Sequence, residues 1–110
     1  MNNIIKSENV IMQGKTTEKT DIHKEICGEL NKIYEAKNKD YGDSFAKLRK
    51  EYGNPAILIR LEDKLGRLKR LMLSGEQNVK VESIEDTLID LANYAIMELV
   101  ERQIERDLWK

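Results

Sequence analysis

The 110-residue sequence predicts an all-α domain, and three observations carry that prediction. Charged residues make up 35% and apolar residues 40%, with Leu, Ile, Glu and Lys abundant, a composition that favours helices. Aromatic residues are only 5%, so side chains enriched in strands are scarce. There is one proline, and the apolar residues recur at helical spacing over three long segments.

The first long segment starts at Asp21 or Ile22, with Thr20 or Asp21 as cap. Ile22, Ile26, Leu30, Ile33 and Tyr34 then fall on one helical face. Gly28 interrupts that helix and marks a candidate for close helix contact, and the pattern stops in the polar run Lys37 to Gly42. Asp43-Ser44 can cap a short helix from Phe45 to about Tyr52, which Gly53 ends. Asn54-Pro55 is a restart, an N-cap followed by proline at the first helical position. The second long helix covers Ala56 to Ser74, and Ile57, Leu58, Leu61, Leu65, Leu68 and Met72 are its expected core face. After a polar connection, a third long helix starts near Glu82 or Ser83 and runs to about Asp107. Ile84, Leu88, Leu91, Ala92, Ala95 and Leu99 are its expected core face.

Residues 17–110 therefore read as one helical domain, preceded by a flexible or partner-dependent segment over 1–16. That segment lacks the basic start and long apolar core of a targeting signal, and the chain has a lone thiol, so a cytoplasmic placement is expected. No apolar run approaches ~18 residues, so no membrane span is expected. The 19 basic and 20 acidic side chains leave a net charge of −1, which argues against stable nucleic-acid binding. One cysteine, Cys27, and one histidine, His23, exclude an internal disulfide, a structural zinc site and Ser-His-Asp or Cys-His catalysis. A thin core from three long amphipathic segments points to a homodimer or higher oligomer.

The near-neutral total hides two opposed charge stripes. Residues 56–74 carry five basic and two acidic side chains, net +3, whereas 75–110 carry four basic and nine acidic, net −5. On the second long helix, Arg60, Asp63, Lys64 and Arg67 share a stripe. On the third, Glu82, Asp86, Asp90 and Asn93 lie within roughly 80° of one another. Like charges at i,i+4 repel, so stacking three acids brings no helix stability of its own. Carboxylates at that spacing can instead share a hard cation such as Mg²⁺, with Asp63 from the facing helix closing the site and Lys64 and Arg67 holding phosphates. Structural readings stand beside these: Ser83-Ile84-Glu85-Asp86 is also a capping box, and the cationic stripe can simply pair with the acidic helix. His23 and Cys27, one turn apart, are two ligands at most and do not make a metal site.

Three blocks then resemble a known family: KNKDYGDSF from Lys37 to Phe45, RLEDKLGRLKRL from Arg60 to Leu71, and ESIEDTLIDLANYAI from Glu82 to Ile96. In order and spacing they look like the nucleotide-modification-associated domain 1 family of phages and bacteria, over about residues 21–102. The resemblance implies a relationship to the MazG-like all-α nucleoside triphosphate pyrophosphohydrolases. Those enzymes hold Mg²⁺ with acidic side chains on two helices of a bundle that two subunits usually complete. It implies a MazG-like bundle completed by oligomerisation, a nucleotide ligand and Mg²⁺, with Mn²⁺ as the substitute ion. By the same resemblance Asp63, Glu82, Asp86 and Asp90 would hold metal, Glu82 and Asp86 would be catalytic, and Lys39, Asp40, Tyr41, Lys64, Arg67 and Asn93 would bind nucleotide or phosphate. The implied reaction is NTP to NMP plus pyrophosphate; the alternatives are a non-catalytic nucleotide-sequestering protein and a plain helical interaction module. The chain departs from the MazG acid pattern, with only Glu62-Asp63 on the first metal helix and a three-residue gap on each side of Asp86 on the second.

Overall fold

The computed structural model describes residues 18–41, 43–74 and 81–108. Over these the chain forms four helices and no strand: α1 (Lys19–Tyr41), α2 (Ser44–Tyr52), α3 (Asn54–Leu73) and α4 (Val81–Leu108). No described helix is long and apolar enough to cross a membrane. The expected segment 1–16 lies outside the described residues.

The break at Gly53 falls where the sequence predicts, but α1 starts at Lys19, so Thr20 and Asp21 lie inside its first turn and not at its cap. α2 ends on Gly53, whose N–H donates to the Arg49 carbonyl. Gly53 has φ +74° and ψ −149°, a conformation that a residue with a Cβ adopts only under strain, and it separates two helices without a longer loop. Gly53 itself, not Asn54, takes the N-cap position of α3, and Pro55 occupies the first turn where its missing N–H costs nothing. α4 begins at Val81, so Ser83 lies inside the first turn and not at the cap of a box. Ser83 instead offers its carbonyl to the Thr87 hydroxyl at 2.7 Å. A Cβ at Gly28 would meet nothing within 4 Å, so the expected close helix contact there is absent.

α3 and α4 make the largest interface. Arg67 meets Thr87, Lys64 meets Asp90 and Arg60 meets Tyr94; one number falls as the other rises, so the two helices are antiparallel. α1 lies along the other flank of α4, antiparallel to it, with Leu30 and Ile89 buried together and Ile26, Ile33 and Ala92 packed around them. α2 runs parallel to α4, where Phe45 tilts at 56° onto Tyr94 with ring centroids 6.1 Å apart. The Arg49 guanidinium grips Glu98 from α2 through Nε at 2.9 Å and Nη2 at 3.0 Å, and reaches Glu105 at 2.6 Å.

The rotation of α4 differs from the expectation. Leu88 and Leu99, expected in the core, are 42% and 64% exposed, and Ala95 is exposed too. Among the described side chains of that helix, Thr87, Ile89 and Glu98 are buried. On α3 the expected core face is split: Ile57 and Leu68 are buried, but Leu58, Leu65 and Met72 are 55%, 46% and 52% exposed. The cause is electrostatic as well as apolar. α4 turns its Asp90 and Glu98 carboxylates inward toward Lys37, Lys64 and Arg49, and that rotation carries the Leu88–Leu99 stripe outward.

Candidate nucleotide pocket

The last turns of α1, the start of α2 and the middles of α3 and α4 surround a pocket of about 270 Å³. α1 supplies Tyr34, Lys37 and Asn38; α3 supplies Arg60 and Lys64; α4 supplies Asp90, Asn93 and Tyr94. Asp43, Ser44 and Phe45 close it from the α1–α2 turn. Three cations and two carboxylates line it, so its walls are net +1.

Asp90 is its electrostatic centre. Lys37 Nζ lies 3.3 Å from Asp90 Oδ1, and Lys64 Nζ lies 3.5 Å from Asp90 Oδ2. Two helices thus send one ammonium each to opposite oxygens of one carboxylate. Both pairs are partly solvated, with Lys37 58% and Asp90 30% exposed, so each contributes at most about 1 kcal/mol. An anionic ligand can therefore take over both lysines at little cost. The Arg60 guanidinium carbon sits 5.9 Å from the Tyr94 ring centroid, a cation–π contact that leaves its N–H groups for an acceptor in the pocket. Asn93 is held by a bond from Nδ2 to the Leu30 carbonyl at 3.2 Å, which leaves its second N–H and its Oδ1 for other contacts.

Of the residues expected to form a site, Lys64, Asp90 and Asn93 line this pocket together. Arg67 does not: its Nε donates to Thr87 Oγ1 at 3.1 Å within the α3–α4 interface. Lys39 and Asp63 are exposed and stand outside the lining. The side chains of Asp40, Tyr41 and Glu82 lie outside the described residues. Asp86, one turn before Asp90, is partly buried, and its Oδ1 is buried with no hydrogen-bond partner among the described residues. No three His, Cys, Asp or Glu side chains among the described residues gather as a metal cluster. Cys27 Sγ and His23 Nδ1 are 3.8 Å apart and exposed, a pair with no further ligand.

Reasoning from the sequence missed Lys37 as a pocket cation. Its signal was its place in the polar run that ends α1, but its partner stands 53 positions away, and only the packing of α1 on α4 joins them. Tyr34 shares its helical face with Ile26, Leu30 and Ile33 in the sequence. It is half-buried because it sits where the core opens into the pocket.

No curated protein and no solved structure matches the chain. Residues 37–101 match the model of one family, and that segment contains every lining residue of the pocket except Tyr34. With more than half of its length matched, the chain belongs to the nucleotide modification associated domain 1 family.

Proposed function

We propose that this protein binds a nucleoside or deoxynucleoside triphosphate in the pocket and, with Mg²⁺ or Mn²⁺, hydrolyses it to the monophosphate and pyrophosphate. The observation that supports this most is the convergence of Lys37, Arg60 and Lys64 on one cavity that also holds Tyr34 and Tyr94. The lysines receive phosphate oxygens as Asp90 releases them, and Arg60 adds a planar donor set fixed by its stacking on Tyr94. A pocket of net +1 does not balance a triphosphate, so a divalent cation on the phosphates complements it. Asp90 lines the pocket and Asp86 stands outside its lining, one turn away; both are hard oxygen donors, and the Asp86 Oδ1 without a hydrogen-bond partner among the described residues supports a cation or its water shell there. Bound there, Mg²⁺ would polarise a phosphoryl oxygen and acidify a water. Asp86, with Glu82 on the preceding turn, would accept the proton of that water, and Lys37, Arg60 and Lys64 would offset charge on the leaving pyrophosphate. In this reading the site works in a homodimer, or a higher homo-oligomer, through the exposed α3–α4 face.

A second reading, binding without turnover, is favoured by one observation: Asp90 is already committed to two lysines. A thermal-shift panel of nucleotides with and without Mg²⁺, followed by product analysis, separates the readings. A ligand at 100 times its Kd raises stability by about 2.7 kcal/mol, so at least one triphosphate should raise Tm by several degrees. Lys64→Gln should weaken that nucleotide about tenfold, equivalent to ~1.4 kcal/mol. Asp86→Asn should abolish pyrophosphate release and keep binding. A Tm that no nucleotide moves would overturn the proposal in favour of a plain interaction module; a shift with no product would leave only sequestration.

A further inference from the structure

A second hollow, of about 190 Å³, lies beside the pocket along the α1–α4 seam, with Tyr34, Asn93 and Met97 lining both. It adds Cys27 and Asn31 from α1 and Ile96 and Val100 from α4. The chemistry of the two hollows is segregated. Lys37, Arg60 and Lys64 all lie in the first, whereas the second has no charged residue in its lining. Its walls are aliphatic apart from Cys27, the Tyr34 ring and the two carboxamides of Asn31 and Asn93. Ile96 and Val100 are 43% and 41% exposed, so the seam leaves apolar surface uncovered beside a cationic pocket.

That combination matches the two ends of one ligand. A nucleobase has apolar faces and an edge of mixed donors and acceptors. It calls for aliphatic or aromatic walls and for side chains that can both donate and accept, and a carboxamide does both. Taken together, the two hollows fall within the ~300–1,000 Å³ of small-molecule sites, which neither reaches alone.

We infer that the α1–α4 seam is the base subsite of this protein, with Tyr34 at the junction and Asn31 as the residue that discriminates between bases. This rests on the proposal that the phosphates lie on Lys37, Arg60 and Lys64. Asn93 and Asn31 divide the work. Asn93 is tied to the Leu30 carbonyl and presents a fixed edge, whereas Asn31 is exposed on α1 and meets the base edge from the open side. Cys27, Asn31 and Tyr34 precede the segment 37–101 that matches the family. The subsite therefore joins walls from α1 outside that segment, Asn31 among them, to Asn93, Ile96, Met97 and Val100 inside it, and the phosphate-binding cations all lie within the family segment.

Cys27 reports on the subsite directly. It is the one cysteine of the sequence, it is exposed, and it lines the seam one turn before Asn31. Alkylation by N-ethylmaleimide, followed by intact mass, is compared without ligand, with each of the common ribo- and deoxyribonucleoside triphosphates, and with inorganic tripolyphosphate. Tm is read in parallel. The best nucleotide should slow alkylation about tenfold, as ~90% occupancy of a shielding site requires. Tripolyphosphate should raise Tm and leave the alkylation rate within about twofold. Asn31→Ala should weaken the best nucleotide about tenfold, leave tripolyphosphate unchanged and flatten the ranking of bases. A nucleotide that raises Tm but leaves the Cys27 rate unchanged would overturn the base subsite and leave the phosphate site standing. The same holds if Asn31→Ala weakens nucleotide and tripolyphosphate equally. Absence of both protection and Tm shift would remove both proposals.

Discussion

Glu98 is 9% exposed in the middle of α4, and a carboxylate survives such burial only with partners. Arg49 supplies two hydrogen bonds across from α2, and Arg102 Nε adds one at 2.7 Å from the next turn. Arg49 foremost, with help from Arg102 and against the effect of burial, holds the Glu98 carboxyl below its usual 4.5. Arg49 also lowers Glu105, and the two carboxylates push the guanidinium further up. A carboxylate depressed on folding contributes stability that is present above its unfolded value and lost as pH falls through the folded one. Stability should therefore decline below about pH 4.5, and Glu98→Gln should make that decline shallower, by urea unfolding at about pH 7 and about pH 3.5. At neutral pH the same variant should lose about 2–3 kcal/mol, because Arg49, 14% exposed, keeps its charge without its main partner. Glu101 titrates the other way: burial first, and then Asp43, raise it, so its protonation favours the fold as pH falls. None of this was legible in the sequence. Arg49 and Glu98 are 49 positions apart, and nothing local marks either as buried. That Lys64, Asp90 and Asn93 line one pocket was foreshadowed by the sequence, because each sits on a polar stripe at helical spacing that helix stability does not explain.

At the scale of elements Gly53, between α2 and α3, and Gly28, inside α1, play opposite parts. Gly53 holds φ +74°, and any Cβ there would strain the α2–α3 corner that carries Phe45 and Arg60 to the pocket. Gly53→Ala should cost about 1–2 kcal/mol by thermal unfolding and should weaken the nucleotide binding proposed for the pocket. Gly28 lies mid-helix in α1 with open space around it, so Gly28→Ala should raise stability by about 0.5–1 kcal/mol. The helices were legible to within a residue or two at most ends, because Gly42, Gly53, Asn54-Pro55 and the polar run after Ser74 are local signals. Which face of each helix turns inward was not. α4 is apolar on more than one side, with Ile89 and Ala92 on one stripe and Leu88, Ala95 and Leu99 on the next, and its neighbours chose between them.

For the whole molecule, that choice leaves an apolar face. The contacts Arg67–Thr87, Lys64–Asp90 and Arg60–Tyr94 put the cationic side of α3 on the pocket side of the α3–α4 pair. Helical geometry then projects Leu58, Leu65 and Met72 from the opposite side, at seven-residue spacing, beside Leu88, Ala95 and Leu99. Leu58, Leu65, Met72, Leu88 and Leu99 are each 42–64% exposed, and large apolar side chains clustered at a surface mark interaction sites. Pairing of a second copy on that stripe, as proposed above, would complete the bundle. Light scattering should show a dimer at about 10 µM, and Leu65→Glu with Leu99→Glu should yield a monomer of unchanged helicity. A wild-type chain that stays monomeric to about 100 µM would sink the dimer and leave the pocket within one chain intact.

The sequence by itself determined the helices, their order, their corners and the two opposed charge stripes. These are set by residues within a few positions of one another, through backbone preference and helical period. Only the tertiary structure decided which acid the lysines hold, that Lys37 joins Lys64 on Asp90, and that Arg67 serves an interface and not the pocket. Those outcomes depend on the rotation of four helices about their own axes. That rotation is settled by competition between apolar stripes of similar strength and by ion pairs between residues 26 to 56 positions apart.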